Sequence, residues 1–170
     1  GKTTSRFTDG LQHIKMDRDI PGQTATVLKE NKPEAIIDMI GFRAEQIEEV
    51  INADLNLKHY VFCGSTSVYG QIGESTPDEF APLKPSSPYE LGKVACEQSL
   101  FKAHKNHQMP ITILRLAHPE GPGDHLLYVT GREALFLDRI RNNRPIIIPN
   151  EGLTRTHPIF VEDAAEVFIH

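Results

Sequence analysis

The segment Pro85-Ser86-Ser87-Pro88-Tyr89-Glu90-Leu91-Gly92-Lys93 holds the residues best suited to chemistry. Ser87 and Glu90 have the S-x-x-E spacing of a capping box, and Pro88 takes the first helical position, where its missing N–H costs nothing. The helix start is thereby defined, and Tyr89 and Lys93 fall one turn apart on a shared face. An ammonium beside a phenol favours the phenolate. A tyrosine supported in this way can exchange a proton with a substrate hydroxyl near neutral pH. A further hydroxyl lies upstream. His59-Tyr60-Val61-Phe62-Cys63-Gly64-Ser65 reads as a buried strand, β-branched and aromatic in character, and it runs into Thr66-Ser67-Val68-Tyr69-Gly70. Open α/β sheets bind ligands beyond the carboxyl ends of their strands. A hydroxyl there, that of Ser65, can hydrogen-bond the same substrate oxygen that Tyr89 serves.

These groups need a scaffold, and the hydrophobic pattern outlines one. Residues 11–16 (LQHIKM) alternate as a short strand and lead into Asp17-Arg18-Asp19 and a Pro-Gly turn. A helix is predicted over 23–31, then a buried strand over 35–41, which is an apolar run ending in glycine. Ile47, Val50 and Ile51 give residues 44–53 an apolar stripe at helical spacing. After the strand at 59–65 comes a polar loop over about 70–86, rich in Gly, Pro, Ser and Thr, and then the long helix to about residue 106. Ile111-Thr112-Ile113-Leu114-Arg115-Leu116 is the next strand, and Pro119-Glu120-Gly121-Pro122-Gly123-Asp124 reads as loop. A helix over about 131–141, a short strand over 145–149, and a strand over 158–161 passing into a helix complete the order. Strands that alternate with helices and are nearly continuously apolar imply a parallel sheet covered on both faces. The predicted fold is therefore a doubly wound α/β sheet.

The combination resembles the extended short-chain dehydrogenases, the NAD-dependent sugar epimerase/dehydratase family. The family pattern is an apolar strand, a Ser/Thr cluster, V-Y-G, a loop and then S-P-Y-x-x-x-K. Val68-Tyr69-Gly70 and Ser87-Pro88-Tyr89 through Lys93 match it. The resemblance implies a Rossmann-like fold and assigns Ser65 to the catalytic hydroxyl position, with Thr66 the alternative claimant. It makes Tyr89 the acid/base and Lys93 the residue that supports its phenolate and binds the nicotinamide ribose. Asp17-Arg18 resembles the family's G-D-R stretch, where the aspartate contacts the adenine amino group, although Met16 replaces the glycine. Met39-Ile40-Gly41 falls where the family lines the adenosine and ribose. Residues 115–123 (RLAHPEGPG) resemble R-x-x-x-x-Y-G-P-G, whose middle residues flank the nicotinamide and bring in His118, with Glu120 in place of the usual tyrosine. Residues 155–164 (RTHPIFVEDA) resemble the segment that borders the sugar-nucleotide site, bringing in Arg155 and His157. Thr66, Ser67 and His118 complete the implied substrate set. By this likeness residues 1–118 form a partial cofactor domain, and residues 119–170 contribute to the substrate region.

Composition narrows the partners. A net charge of −5 argues against a dedicated nucleic-acid binder, and the cluster Lys102, His104 and Lys105 reads as a solvated helix face. Cys63 and Cys96 have no C-x-x-C spacing and sit among apolar residues, which fits a reducing, cytoplasmic compartment. No apolar run approaches the roughly 18 residues of a membrane span. The eight histidines are scattered, without metal-ligand spacing. The long helix carries Leu91, Val94 and Ala95 on one face and Cys96 and Leu100 on another. A surface helix needs one such stripe, so a homodimer is expected, as is common in the family.

The family's Gly-rich turn, which cradles a pyrophosphate at a helix N-terminus, has no counterpart in this sequence. The chain reads as a fragment that lacks the first β-α-β unit and the C-terminal end, and the choice between NAD and NADP stays open with the former. The implied activity is hydride transfer between nicotinamide and a secondary alcohol carbon, in the epimerase version on a nucleotide-linked sugar. The dehydratase branch places Asp-Glu directly after the catalytic hydroxyl, where this sequence has Thr66-Ser67. A ketone or aldehyde reductase stays open. The alternative is a non-catalytic, dinucleotide-sensing or RNA-associated relative on the same fold.

Overall fold

The computed structural model describes residues 10–70, 76–122, 135–153 and 157–170. Two compact units emerge, one formed by Gly1–Gly64 with Pro85–Leu114, the other by Ser65–Lys84 with Arg115–His170.

The first unit is built on strands β1 (Ala35–Asp38) and β2 (His59–Ser65), which pair in parallel, with Ala35 opposite His59 and Asp38 opposite Phe62. β3 (Ile111–Leu116) follows β2 in the sheet order β1-β2-β3. Helices α1 (Gln23–Asn31), α2 (Ala44–Ile51) and α3 (Pro88–His107) pack in sequence, α1 on α2 and α2 on α3. Their apolar stripes meet β2: Ile47, Val50, Leu57, Tyr60, Phe62, Cys96 and Leu100 form the core. β2 owes its central place to alternate Tyr60 and Phe62, both fully buried.

The predicted β1 continues to residue 41, but the ladder stops at Asp38, whose carboxylate then caps the following turn by accepting the Ile40 N–H at 3.1 Å. β1 is also less buried than an apolar run implies, with Ile37 half exposed, because it is the outermost strand of this sheet. The strand expected at 11–16 does not form. It has no ladder partner among the described residues, and Leu11 and Ile14 are exposed, so alternation alone did not suffice.

In the second unit, a 3-10 turn over Thr66–Tyr69 follows directly on Ser65. Strands β4 (His118–Glu120) and β5 (Pro158–Phe160) pair in parallel, and β5 passes straight into α5 (Val161–Ile169). β4 overturns the expectation of a loop from residue 119. A proline is tolerated in a strand where its nitrogen owes no ladder bond, and in a sheet of two strands each has an open side. The close approach of Val161 Cγ1, 2.2 Å from where a Cβ of Gly121 would stand, shows why glycine ends β4. Helix α4 (Leu135–Arg141) occupies the later part of the helix expected over 131–141. Residues 145–148 form no strand, and Pro149–Gly152 is a 3-10 turn instead. Ile147 and Ile148 there are exposed, with no partner strand among the described residues.

Candidate active site

α3 starts where the sequence places it. Ser87 Oγ accepts the Glu90 N–H at 3.2 Å, and the Glu90 carboxylate accepts the N–H groups of Ser86 and Ser87 at 2.6 and 3.0 Å. These backbone donors hold the Glu90 carboxyl below its usual range. The cap fixes the first turn of α3 and, with it, Tyr89 and Lys93.

Lys93 is only 1% exposed. Its ammonium donates to the Cys63 carbonyl at 2.8 Å and lies 4.7 Å from the ring centroid of Phe42, 4.9 Å from that of Phe62 and 5.8 Å from that of Tyr89. The ring faces compensate in part for lost water. Burial nevertheless depresses the Lys93 pKa, against the opposing influence of Cys63, Cys96, Asp38 and Glu97. The same burial pushes the neighbouring thiols up, Cys96 to about 11, although the Lys93 charge works the other way. Neither cysteine is poised as a nucleophile. Tyr89 is 47% exposed, and its ring stands 5.9 Å from that of Phe42, tilted by 48°. A reachable phenol thus sits beside an enclosed cation, as proton exchange with an external hydroxyl requires.

A second constellation underlies the turn after β1. Asp38 is 5% exposed, and its carboxylate accepts two hydrogen bonds from Arg18 at 2.6 and 2.8 Å and one from the Tyr60 hydroxyl at 2.6 Å. Burial by itself raises a carboxyl pKa; here the Arg18 hydrogen bonds and charge, with Tyr60 and the Ile40 N–H, overcome it and hold Asp38 below its ordinary value. Burial and the Asp38 charge push the Tyr60 phenol upward, so it stays a donor. Arg18 also reaches the Gln46 carbonyl at 3.4 Å.

The turn so held is Met39-Ile40-Gly41-Phe42. Met39 and Ile40 are half exposed, which leaves them free to line a ligand. Gly41 has no room for a side chain, since Phe62 and Ile47 atoms lie 2.8 and 3.0 Å from a Cβ placed there. Asp17, expected on the adenine side, takes part in the local turn: its N–H is bonded by the Gln23 side chain and its carboxylate accepts the Asp19 N–H at 2.9 Å.

In the second unit, Ser65 caps the 3-10 turn. Its Oγ accepts the Ser67 N–H at 3.3 Å and lies 2.9 Å from Ser67 Oγ. Thr66 Oγ1 donates to the Leu116 carbonyl at 3.3 Å, and Ser65 and Thr66 are both half-buried. Arg115 donates to the Tyr69 hydroxyl at 2.5 Å and to the Glu79 carbonyl at 3.4 Å, and its guanidinium covers the Tyr69 ring at 5.0 Å. His118 opens β4, and His157, just before β5, is exposed. Arg155 lies outside the described residues. No cluster of His, Cys, Asp and Glu with metal-binding geometry occurs among the described residues, and no described helix is long and apolar enough to cross a membrane.

Phe42, Asp38 and Tyr60 were not anticipated as site residues. Two signals were present in the sequence. Asp38 ends an otherwise apolar strand. Gly92 sits in the interior of a helix, where glycine costs about 1 kcal/mol relative to alanine unless something must approach closely.

Parallel strands alternating with helices, with a tyrosine and a lysine one turn apart on the capped third helix, define the class as a Rossmann-like α/β protein. The chain belongs to the NAD-dependent epimerase/dehydratase family, whose sequence model matches residues 3–170. It is 27% identical over 164 residues to the chloroplast stem-loop binding protein of 41 kDa b of Arabidopsis thaliana, covering 96% of this chain and 41% of that one. The fold is similar to that of the dTDP-glucose 4,6-dehydratase DesIV of Streptomyces venezuelae solved with NAD, with a TM-score of 0.70 at 18% identity over 89% of this chain and 51% of that one. It is also similar to the UDP-N-acetylglucosamine 4-epimerase of Methanobrevibacter ruminantium M1, with a TM-score of 0.74 at 21% identity over 92% and 56% of the two chains. The chain thus spans about half the length of these relatives.

Proposed function

We propose that this chain supplies the acid/base part of a nicotinamide-dependent enzyme that transfers a hydride at a secondary alcohol carbon of a nucleotide-linked sugar. The observation that carries the reading is the enclosed Lys93 ammonium, one helical turn from a reachable Tyr89 phenol on a firmly capped helix. The Tyr89 phenolate takes the hydroxyl proton as the carbon–hydrogen bond breaks, and its phenol returns a proton when the ketone is reduced. Lys93 supports the phenolate through its charge, and Ser65 donates to the substrate oxygen. Met39 and Ile40, with the close-packed Gly41 between them and Phe42, suit the flat apolar face of a nucleoside. NAD fits this role, and NADP does so equally. A bound nicotinamide would accept the hydride and give it back. Thr66, Ser67, His118, Arg155 and His157 are proposed to contact the sugar nucleotide.

The test uses the full-length protein and UDP- and dTDP-hexoses deuterated at the reacting carbon. Hydride transfer keeps the deuterium in the product or in the reduced cofactor; washout into water, or no turnover with either series, contradicts the proposal. The name of the Arabidopsis relative supports a second reading, in which the fold binds a nucleic-acid stem-loop. Lys102 and Lys105, exposed near the end of α3, are the candidate contacts. That reading predicts stem-loop affinity that falls steeply with salt, and affinity indifferent to salt contradicts it.

The same helix is proposed to carry a homodimer contact. Leu91 and Phe101 are exposed at 55% and 54%, and Val94 lies between them at helical spacing.

A further inference from the structure

We propose that Phe42 is a positioning residue for the Tyr89–Lys93 pair, holding the Lys93 ammonium against the Cys63 carbonyl and beside Tyr89. This deepens the acid/base reading above and rests on it for its functional consequence.

Three independent observations place Phe42 in this role. Its ring touches both members of the pair: Lys93 Nζ is 4.7 Å from its centroid, and the Tyr89 ring is 5.9 Å away. Its backbone is pinned at both ends. The Phe42 N–H donates to Gln46 Oε1 at 2.9 Å, and the Phe42 carbonyl oxygen lies 2.2 Å from where a Cβ of Gly92 would stand. Only glycine at 92, between Tyr89 and Lys93 on the helix, lets the turn come this close. Finally, the turn is fixed from below. Asp38, gripped by Arg18 and Tyr60, caps it through the Ile40 N–H, and a Cβ at Gly41 would stand 2.8 and 3.0 Å from Phe62 and Ile47 side-chain atoms.

Phe42 is 45% exposed, while the Lys93 ammonium beside its ring is in a residue only 1% exposed. It stands where water would otherwise hydrate Lys93. A charge kept from water acts more strongly on a neighbouring phenolate than a hydrated one, because the effective dielectric between them is lower. A freely moving ammonium would also spend less time beside Tyr89.

The test compares Phe42→Ala, Phe42→Leu and Phe42→Tyr in the full-length protein. Acetylation of Lys93 by acetic anhydride, read by mass spectrometry against exposed Lys102, reports enclosure without any need for turnover. With the sugar nucleotide that the unaltered protein converts, kcat and KM report function. The expected result is Lys93 labelling on the order of tenfold faster in Phe42→Ala, with kcat lower by about tenfold and KM little changed, as loss of charge support over this distance implies. Phe42→Tyr restores both, and Phe42→Leu, which fills space without an aromatic face, restores them only in part. Unchanged Lys93 labelling in Phe42→Ala overturns the proposal, as does a KM effect with kcat intact. If the unaltered protein converts no sugar nucleotide, the acid/base reading fails, and the labelling ratio alone then decides whether Phe42 holds Lys93.

Discussion

Asp38 concentrates the energetics of the first unit at one residue. A buried carboxylate is tolerable when its lone pairs are filled and its charge is paired, and here Arg18, Tyr60 and the Ile40 N–H do both. Asp38→Ala leaves Arg18, whose side chain is only 11% exposed, without its counter-charge. The expected loss is about 3–5 kcal/mol in urea unfolding of the full-length protein. Replacing all three polar partners together, Arg18→Met with Asp38→Leu and Tyr60→Phe, comes far closer to the original stability, because no charge or hydroxyl is left buried alone. A loss in the triple variant as large as in the single one contradicts this account. The pH dependence follows from the same group. Asp38 titrates below its ordinary 3.8 in the folded state, so its contribution is present above that pH and drains away as pH falls further, through the folded value. The unfolding midpoint therefore drops below about pH 4, and the triple variant drops less over the same range. The sequence hinted at this residue through a carboxylate closing an apolar strand. It did not reveal the partners, since Arg18 and Tyr60 lie far from Asp38 along the chain and meet it only in the folded unit, Tyr60 through the pairing of β1 with β2 and Arg18 from a turn.

At the level of elements, α3 was the most legible. Its capping box and N1 proline are local signals, and both appear as read. Ser87→Ala should cost about 1 kcal/mol, the usual worth of an N-cap, measured by thermal unfolding. Gly92→Ala tests the opposite sign. Helix propensity alone predicts a gain of up to about 1 kcal/mol, whereas the contact with the Phe42 carbonyl predicts a lower melting temperature. A higher one would mean that the turn yields easily and that Phe42 is not firmly held. Helices α1 and α2 and strands β2 and β3 were equally readable from periodicity. The misreadings cluster where pairing, rather than pattern, decides. The alternating segment 11–16 and the apolar 145–149 found no partner strand among the described residues, while His118-Pro119-Glu120, with a proline at its centre, gained one in β5. A strand is a property of two segments, and one of them read alone underdetermines it.

At the scale of the whole molecule, the family, the parallel α/β architecture and the helix that carries Tyr89 and Lys93 were legible, because motif spacing and strand–helix alternation are carried by nearly the entire chain. The substrate side was less so. Glu120 stands where the family pattern has tyrosine, and one of its carboxylate oxygens is enclosed without a hydrogen-bond partner among the described residues. Spacing cannot announce such a departure. The exposed side of α3 leads to a prediction about assembly. Leu91→Glu with Phe101→Glu should convert the full-length protein from dimer to monomer in light scattering, with the secondary structure by circular dichroism unchanged. An unaltered protein that is already monomeric contradicts the proposed contact.

The central claim is that Tyr89 moves the proton. Its most direct test is Tyr89→Phe in the full-length protein, with turnover of UDP- and dTDP-hexoses followed beside calorimetric binding of NAD and of the nucleotide sugar. The account predicts kcat lower by about a hundredfold or more with binding nearly intact, as loss of a general acid/base requires. Turnover that survives the change would contradict it.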